Sequence, residues 1–126
     1  MRTIRFKGKR RDNGEWVSGD LAHSLNGNLN ILAFDTQDGV VGFTGVYPID
    51  PSTVCLFTGM KDIEGNEVWE GDILDGQLNG EVVFTSGTFA LHPIDCKKRE
   101  VFAPLYYFSL GNRTLDLKVI GNKFDK

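Results

Sequence analysis

Carboxylates are concentrated in residues 65–84, GNEVWEGDILDGQLNGEVVF, and carboxylates are the side chains best suited to binding a metal ion or transferring a proton. The stretch contains four glycines and five acidic residues: Glu67, Glu70, Asp72, Asp75 and Glu81. An EF-hand calcium loop needs acids at alternating positions, glycine at the sixth and glutamate at the twelfth, and that spacing is missing here. Acid–base catalysis needs a cleft that raises one pKa, which a sequence cannot reveal. We therefore predict no metal site, no cofactor and no catalytic residue.

Backbone turns explain the acidic residues better. In KDIEGNE, residues 61–67, Asp62 can accept hydrogen bonds from backbone amides at the first position of a type I turn. Gly65 can adopt the left-handed conformation that closes a bulged hairpin. A second corner follows at Glu70–Asp72, where we expect Asp72 to bond the turn and Ile73 to enter the core. These residues are thus predicted to serve the fold.

The turn signals predict an all-β protein with little helix. Seven dipeptides ending in glycine separate short runs rich in β-branched and aromatic residues, which is typical of a β meander. The dipeptides begin at Asn13, Asn26, Asp38, Glu64, Asp75, Asn79 and Ser86. The strands are expected at about residues 3–10, 15–21, 29–34, 40–47, 54–58, 67–69, 72–75, 81–85, 88–92 and 116–124.

The C-terminal half has the pattern of an SH3-like barrel. Residues 70–94 show a strand, a polar loop, a second strand, a tight turn and a third strand, which is the opening of many such barrels. The length favours one domain, residues 1–126. The two prolines of YPIDPS, residues 47–52, allow an N-terminal β subdomain at 1–50 and a barrel part at 51–126.

Charge is distributed unevenly along the chain. Six of the 14 basic residues fall in the first eleven positions, where no acid occurs, so residues 12–126 carry eight basic and 17 acidic residues. Alternation in the first strand predicts that Ile4 and Phe6 are anchored in the core while Arg5, Lys7 and Lys9 form a basic outer face. This face could contact nucleic acid, or acids of the same or a neighbouring chain.

An aromatic segment near the C-terminus suggests an interaction surface. Residues 96–111, CKKREVFAPLYYFSLG, are interrupted by Pro104 and can form a short helical turn or a buried strand. Exposed rings at Tyr106, Tyr107 and Phe108 would suit a partner, and together with the charge asymmetry they predict a homo-oligomer. Trp16 and Trp69 are expected to be packing residues.

The cysteines and the N-terminus indicate the compartment. Cys55 and Cys96 lie far apart, with no cysteine or histidine at ligand spacing, which favours buried free thiols in a reducing cytoplasm over a disulfide. The N-terminus MRTIRFKGKRR has no apolar core of the kind a signal peptide needs, and no stretch approaches a membrane span. A soluble, cytoplasmic protein without membrane contact is expected.

Four stretches together resemble a known family. They are IRFKGKRRDNGEWVSGDL at 4–21, IDPSTVCLFTGMKDIEGNEVWEGDIL at 49–74, GEVVFTSGTFAL at 80–91 and LKVIGN at 117–122. On these residues the chain is similar to the YopX family, proteins encoded largely by bacteriophages and prophages. The resemblance implies a β-rich fold with an SH3-like part and location in the cytoplasm of a bacterial host. It implies no catalytic or binding residue, because the family has no established activity.

Three classes of function compete. The sequence favours a non-enzymatic interaction or assembly protein that binds itself or a host or phage protein. The alternative is a nucleic-acid-binding barrel protein that uses the basic N-terminal strand, although the pI near 5.3 and the absence of basic residues interleaved with aromatics outside that strand argue against it. An enzyme is expected least, because no nucleophile, base and orienting group can be assembled from the sequence.

Overall fold

The fold is built almost entirely from β-strands, as the turn signals predict. The computed structural model describes residues 4–37, 39–94 and 102–125. Within these ranges the regular structure consists of thirteen strands and two 3-10 helical turns, neither longer than four residues. The chain divides into an N-terminal unit that ends at Leu56 and a C-terminal unit that begins at Phe57.

The N-terminal unit is an antiparallel meander in which neighbours in sequence are neighbours in space. Its elements are β1 (Phe6–Lys9), β2 (Trp16–His23), β3 (Leu29–Gln37), β4 (Val40–Pro48) and a 3-10 turn (Pro51–Thr53). Strand β5 (Cys55–Lys61) begins in this unit, where its first two residues pair with β1. The strand order is therefore β5-β1-β2-β3-β4, with β4 at the edge.

Glycine shapes this meander in two ways. The three hairpin connections contain Gly14, Gly27 and Gly39 at φ of 72°, 87° and 78°, where other residues are strained; Asp38, the partner of Gly39 in its dipeptide, lies outside the described residues. Gly8 makes room for the core, because a Cβ there would lie 2.8 Å from Cδ1 of Ile49. Ile49 and Ile31 are fully buried on this side of the sheet.

The C-terminal unit contains the other strands and the second 3-10 turn. In chain order these are the rest of β5, then β6 (Glu67–Trp69), β7 (Asp72–Gly76), β8 (Gly80–Thr85), β9 (Thr88–Pro93), β10 (Ala103–Pro104), the turn Leu105–Phe108, β11 (Ser109–Gly111), β12 (Thr114–Leu115) and β13 (Leu117–Asn122). Five of them form an antiparallel sheet in the order β10-β9-β8-β7-β13. Strand β5 pairs with β6 and, through one parallel contact, with β12.

The core of the C-terminal unit is aliphatic. Seven buried residues pack together: Val68, Leu74, Val82, Leu91, Leu105, Leu115 and Leu117. In the part of the chain that the structure describes, β10 pairs only with β9 and β13 only with β7, so the ends of the five-stranded sheet do not meet. The predicted meander is present, but the SH3-like barrel expected for residues 51–126 is not confirmed, because neither sheet closes.

Several local expectations are corrected. Ile4 is 61% exposed, because it precedes the first residue of β1 that pairs with a neighbour, and Phe6 is only half-buried. Leu74 rather than Ile73 enters the core after the second acidic corner. Gly76 and Gly80 belong to strands rather than to a turn.

Of the segment 96–111 the structure describes residues 102–111, where Leu105–Phe108 form the helical turn that was one of the two predicted forms, followed by the unpredicted strand β11. Cys55 is a buried thiol, as predicted, and its Sγ donates to the carbonyl oxygen of Thr53 at 3.3 Å, whereas Cys96 lies outside the described residues.

We predict that Gly19→Ala strongly destabilises the N-terminal unit. A Cβ at Gly19 would lie 2.1 Å from the carbonyl oxygen of Leu32, so β2 and β3 would have to separate, at a cost above about 2 kcal/mol in the free energy of unfolding. Gly14→Ala is the matched control, because its site is open and only its φ of 72° is strained, which costs about 1 kcal/mol. Thermal or urea unfolding measures both, and equal losses would contradict the steric explanation.

Candidate functional site

The carboxylate of Asp62 is a structural group. It is 1% exposed; one oxygen accepts hydrogen bonds from the amides of Glu64 (3.0 Å) and Asn66 (2.7 Å). The other oxygen accepts from the amide of Val119 (3.0 Å) and from Nδ2 of Asn66 (3.2 Å). The amide of Gly65 donates to the Asp62 carbonyl at 3.0 Å, which confirms the predicted turn. Four donors leave this carboxylate poorly placed to bind a metal ion.

These hydrogen bonds also set the charge state of Asp62. Burial by itself raises the pKa, but the hydrogen bonds from Val119, Asn66 and Glu64 together outweigh it, so the pKa lies below its ordinary value. Asp62 therefore stays ionised at neutral pH, which suits an acceptor and not a general acid.

Asp72 has a similar role at the second corner. It is 3% exposed, and its oxygens accept hydrogen bonds from the Trp69 amide (2.7 Å) and from Nδ2 of Asn122 (2.9 Å). This confirms the predicted bond to the turn. Among the described residues, no group of three or more His, Cys, Asp or Glu side chains could hold a metal ion. In the same residues, no helix is long and apolar enough to cross a membrane.

The basic strand forms a cation–aromatic cluster. The Nζ atoms of Lys7 and Lys9 lie 4.5 Å and 5.3 Å from the ring centroid of Trp16, which the register places opposite Lys9. Such contacts stabilise both ammonium groups on the ring. The predicted packing role is confirmed for Trp69, which is 6% exposed. Trp16 is only half-buried, so its side chain packs in part and remains in part accessible. Arg5 is half-buried and precedes β1, and contact of the three cations with acids stays a prediction.

A shallow cleft of about 380 Å³ continues the cationic strand at its C-terminal end. It is lined by Lys9, Arg10, Arg11, Gly14, Asp50 and Thr53. The guanidinium of Arg10 lies 4.4 Å from the ring of Tyr47 and is paired with Asp12 at 2.6 Å, while Nε of Arg11 donates to the carbonyl of Ile49 at 3.1 Å. The arginines are thus held in fixed positions at the cleft.

An exposed apolar patch on the same unit was not predicted from the sequence. Phe34 on β3 faces Phe43 on β4, with ring centroids 5.6 Å apart, and the two are 48% and 60% exposed. Val46, also on β4, is 50% exposed. The dipeptide Asp38-Gly39 could have indicated this pairing, because a turn there brings residues on either side of it together.

The predicted aromatic surface is present in the C-terminal unit. Tyr106 and Tyr107 are 63% and 69% exposed on the 3-10 turn, with ring centroids 4.7 Å apart, whereas Phe108 is half-buried against the core. A hydrogen bond with Tyr107 raises the pKa of Tyr106 above its ordinary value. The six predicted surface residues therefore divide into Arg5, Lys7 and Lys9 in one unit and these three aromatics in the other.

Comparison with known proteins gives one assignment. A family model described as YopX protein matches residues 5–126, nearly the whole chain. No curated protein matches it.

We predict that Asp62→Asn lowers the free energy of unfolding by about 1–3 kcal/mol at pH 7, because an amide nitrogen replaces one acceptor oxygen among four donors. Glu64→Gln is the control; its exposed carboxylate makes a surface ion pair with Lys118 at 3.2 Å, and little change is expected.

The difference in the free energy of unfolding between wild type and Asp62→Asn should depend on pH. Because the folded pKa of Asp62 is lowered, its contribution is present above the unfolded value near 3.9 and is lost as pH falls through the folded value. Urea unfolding between pH 3 and 7 tests this. A difference that stays constant down to pH 3 would show that the charge is not what the turn requires.

Proposed function

The chain belongs to the YopX family, and we propose that it is a non-enzymatic interaction module of phage or prophage origin. It acts in the cytoplasm of a bacterial host and associates with further copies of itself through the C-terminal 3-10 turn. We name the surface of Tyr106, Tyr107 and Leu110 the aromatic turn surface.

The exposure of two adjacent tyrosines carries this proposal. Tyr106 and Tyr107 project from a turn whose first residue, Leu105, is 2% exposed in the core, so the core fixes the base of the surface. Leu110, on the following strand β11, is 60% exposed. Tyrosine is enriched at protein interfaces because its ring buries a large area while its hydroxyl can remain hydrogen-bonded.

The two rings are ordered before any partner binds. They meet edge to face, with ring centroids 4.7 Å apart and an interplanar angle of 63°. Association therefore loses less side-chain entropy than it would with independently rotating side chains. A preordered aromatic pair on a fixed turn supports a role in association.

The use of the acidic residues supports a module without catalysis. Asp62 and Asp72 are occupied by backbone and amide donors, and Glu64 and Glu81 form surface ion pairs with Lys118 and Lys123. The hydrogen bonds to Asp62 lower its pKa and keep this carboxylate ionised, a form that general acid catalysis cannot use.

We predict that the protein self-associates at micromolar concentration. The double variant Tyr106→Ser, Tyr107→Ser should raise the Kd of self-association by about tenfold or more, because two interface aromatics are removed. Light scattering coupled to size exclusion measures the mass over a dilution series. Phe84→Ser is the control, since Phe84 is 51% exposed elsewhere in the same unit.

Two results would contradict the proposal. A wild-type protein that remains monomeric at 100 µM does not associate at all. An oligomer that dissociates equally with Phe84→Ser and with the tyrosine variant uses a different surface.

A further inference from the structure

The register places cations and rings from four strands on one face of the N-terminal sheet. Lys9 is opposite Trp16, Lys7 is opposite Ser18, Leu32 is opposite Asp20 and Val46, and Phe34 is opposite Phe43. Alternate residues of a strand point to the same face, and a β-bulge between the pairs Ala33–Gly45 and Phe34–Phe43 returns Phe43 to the face of Val46. The following residues therefore share one face: Lys7, Lys9, Trp16, Leu32, Phe34, Phe43 and Val46. We call it the open face.

The opposite face of this sheet contains the core. Ile31 and Ala33, which alternate with Leu32 and Phe34 on β3, are 0% and 8% exposed. The open face instead leaves Phe34 and Phe43 about half exposed and Trp16 half-buried. Exposed rings on three successive strands are more than the fold of this unit requires.

We propose that the open face binds single-stranded nucleic acid without sequence preference, with bases stacked on Phe34 and Phe43 and the backbone along Lys7 and Lys9, whose ammonium groups lie over Trp16. Unpaired bases need π surfaces, and the phosphates between them need cations at short intervals. The open face supplies both types of group. This site is independent of the aromatic turn surface.

The spacing of the cations fits a phosphate backbone. Lys7 and Lys9 are two residues apart on a strand, about 6.6–6.8 Å. Because both residues lie on the same face of β1, both ammonium groups can contact the phosphates of one bound strand. Their contact with the face of the Trp16 ring holds both ammonium groups in place on the open face, where they can contact the phosphates of a bound strand.

The cleft at the end of β1 extends this path. Lys9 belongs to both the open face and the cleft, which also has Arg10 and Arg11 on its wall. The contacts of Arg10 with Tyr47 and of Arg11 with the Ile49 carbonyl orient the guanidinium groups before a ligand binds. A strand that leaves the rings therefore meets Lys9 and then Arg11, with the carboxylate of Asp50 on the same wall, while Arg10 is paired with Asp12 and lies on the ring of Tyr47.

Two features limit the affinity. Asp20 is exposed on the open face between the lysines and Phe34, and the chain has a net charge of −3. Repulsion by these negative charges favours micromolar over nanomolar binding. For the same reason, Asp20→Asn should bind more tightly than wild type.

The test is a fluorescence anisotropy titration of the full chain with labelled 15-nucleotide oligo-dT and oligo-U at 50 and 150 mM salt. We expect micromolar binding, weaker binding at higher salt and weaker binding of a 15-base-pair duplex. Phe34→Ala and Phe43→Ala should each weaken binding by about fivefold or more, since each removes a stacking surface. Phe84→Ala is the matched control, because Phe84 and Phe89 form a similar exposed pair with centroids 5.1 Å apart in the other unit.

Charge variants test the backbone contacts. The double variant Lys7→Ala, Lys9→Ala should weaken binding and reduce the slope of log affinity against log salt by about 1.4, the value for two phosphates of a single strand. Lys118→Ala, Lys123→Ala makes the same change in net charge and should have little effect. Melting curves establish that each variant is folded.

Three outcomes would overturn the proposal. The first is no binding of either oligonucleotide at 100 µM protein and 50 mM salt. The second is binding that Phe34→Ala and Phe43→Ala leave unchanged, or that the duplex matches, because this would indicate attraction to any polyanion. The third is binding that Tyr106→Ser, Tyr107→Ser abolishes while Lys7→Ala, Lys9→Ala does not, which would assign the contact to the aromatic turn surface.

Discussion

The buried carboxylate of Asp62 is the constraint on which the C-terminal unit depends. An unpaired charge in that position would be strongly destabilising, so the amides of its own turn and of Val119, 57 residues later, must be in place. The neighbouring amide of Ile63 also donates to the carbonyl of Leu117, at 3.0 Å. The turn is thereby fixed against β13, and β13 against β7, at the edge of the sheet that covers the aliphatic core.

The buried carboxylates stabilise the fold, whereas other side chains are suited to binding a partner. In the acidic region that is most prominent in the sequence, Asp72 is buried and hydrogen-bonded in a turn, and Asp62, just before that region, is buried in the preceding turn. The groups suited to partners are rings and cations, and they lie outside that region. In the N-terminal unit, Lys7 and Lys9 share Trp16; in the C-terminal unit, Tyr106 and Tyr107 share a turn.

Local geometry could be predicted from sequence because its causes are local. The turn of Asp62 and Gly65 follows from one carboxylate that accepts from nearby amides and one residue that tolerates positive φ. The hairpins at Gly14 and Gly27 follow from the same tolerance. The half-buried Phe6 and the exposed Ile4 were predicted less well, because alternation shows which residues share a face but not where pairing with a neighbour begins.

The sequence by itself therefore determined the β class, most turns and strands, the family and the positions of the basic strand and of the aromatic segment. Only the tertiary structure decided that the sheets remain open and that Asp62 bonds Val119. It also decided that Phe34 and Phe43, distant in sequence from Lys7 and Lys9, share a face with them. The physical reason is that a strand leaves its own edges and faces unsatisfied. Which other segment satisfies them depends on register and packing between distant parts of the chain, and no local pattern records that choice.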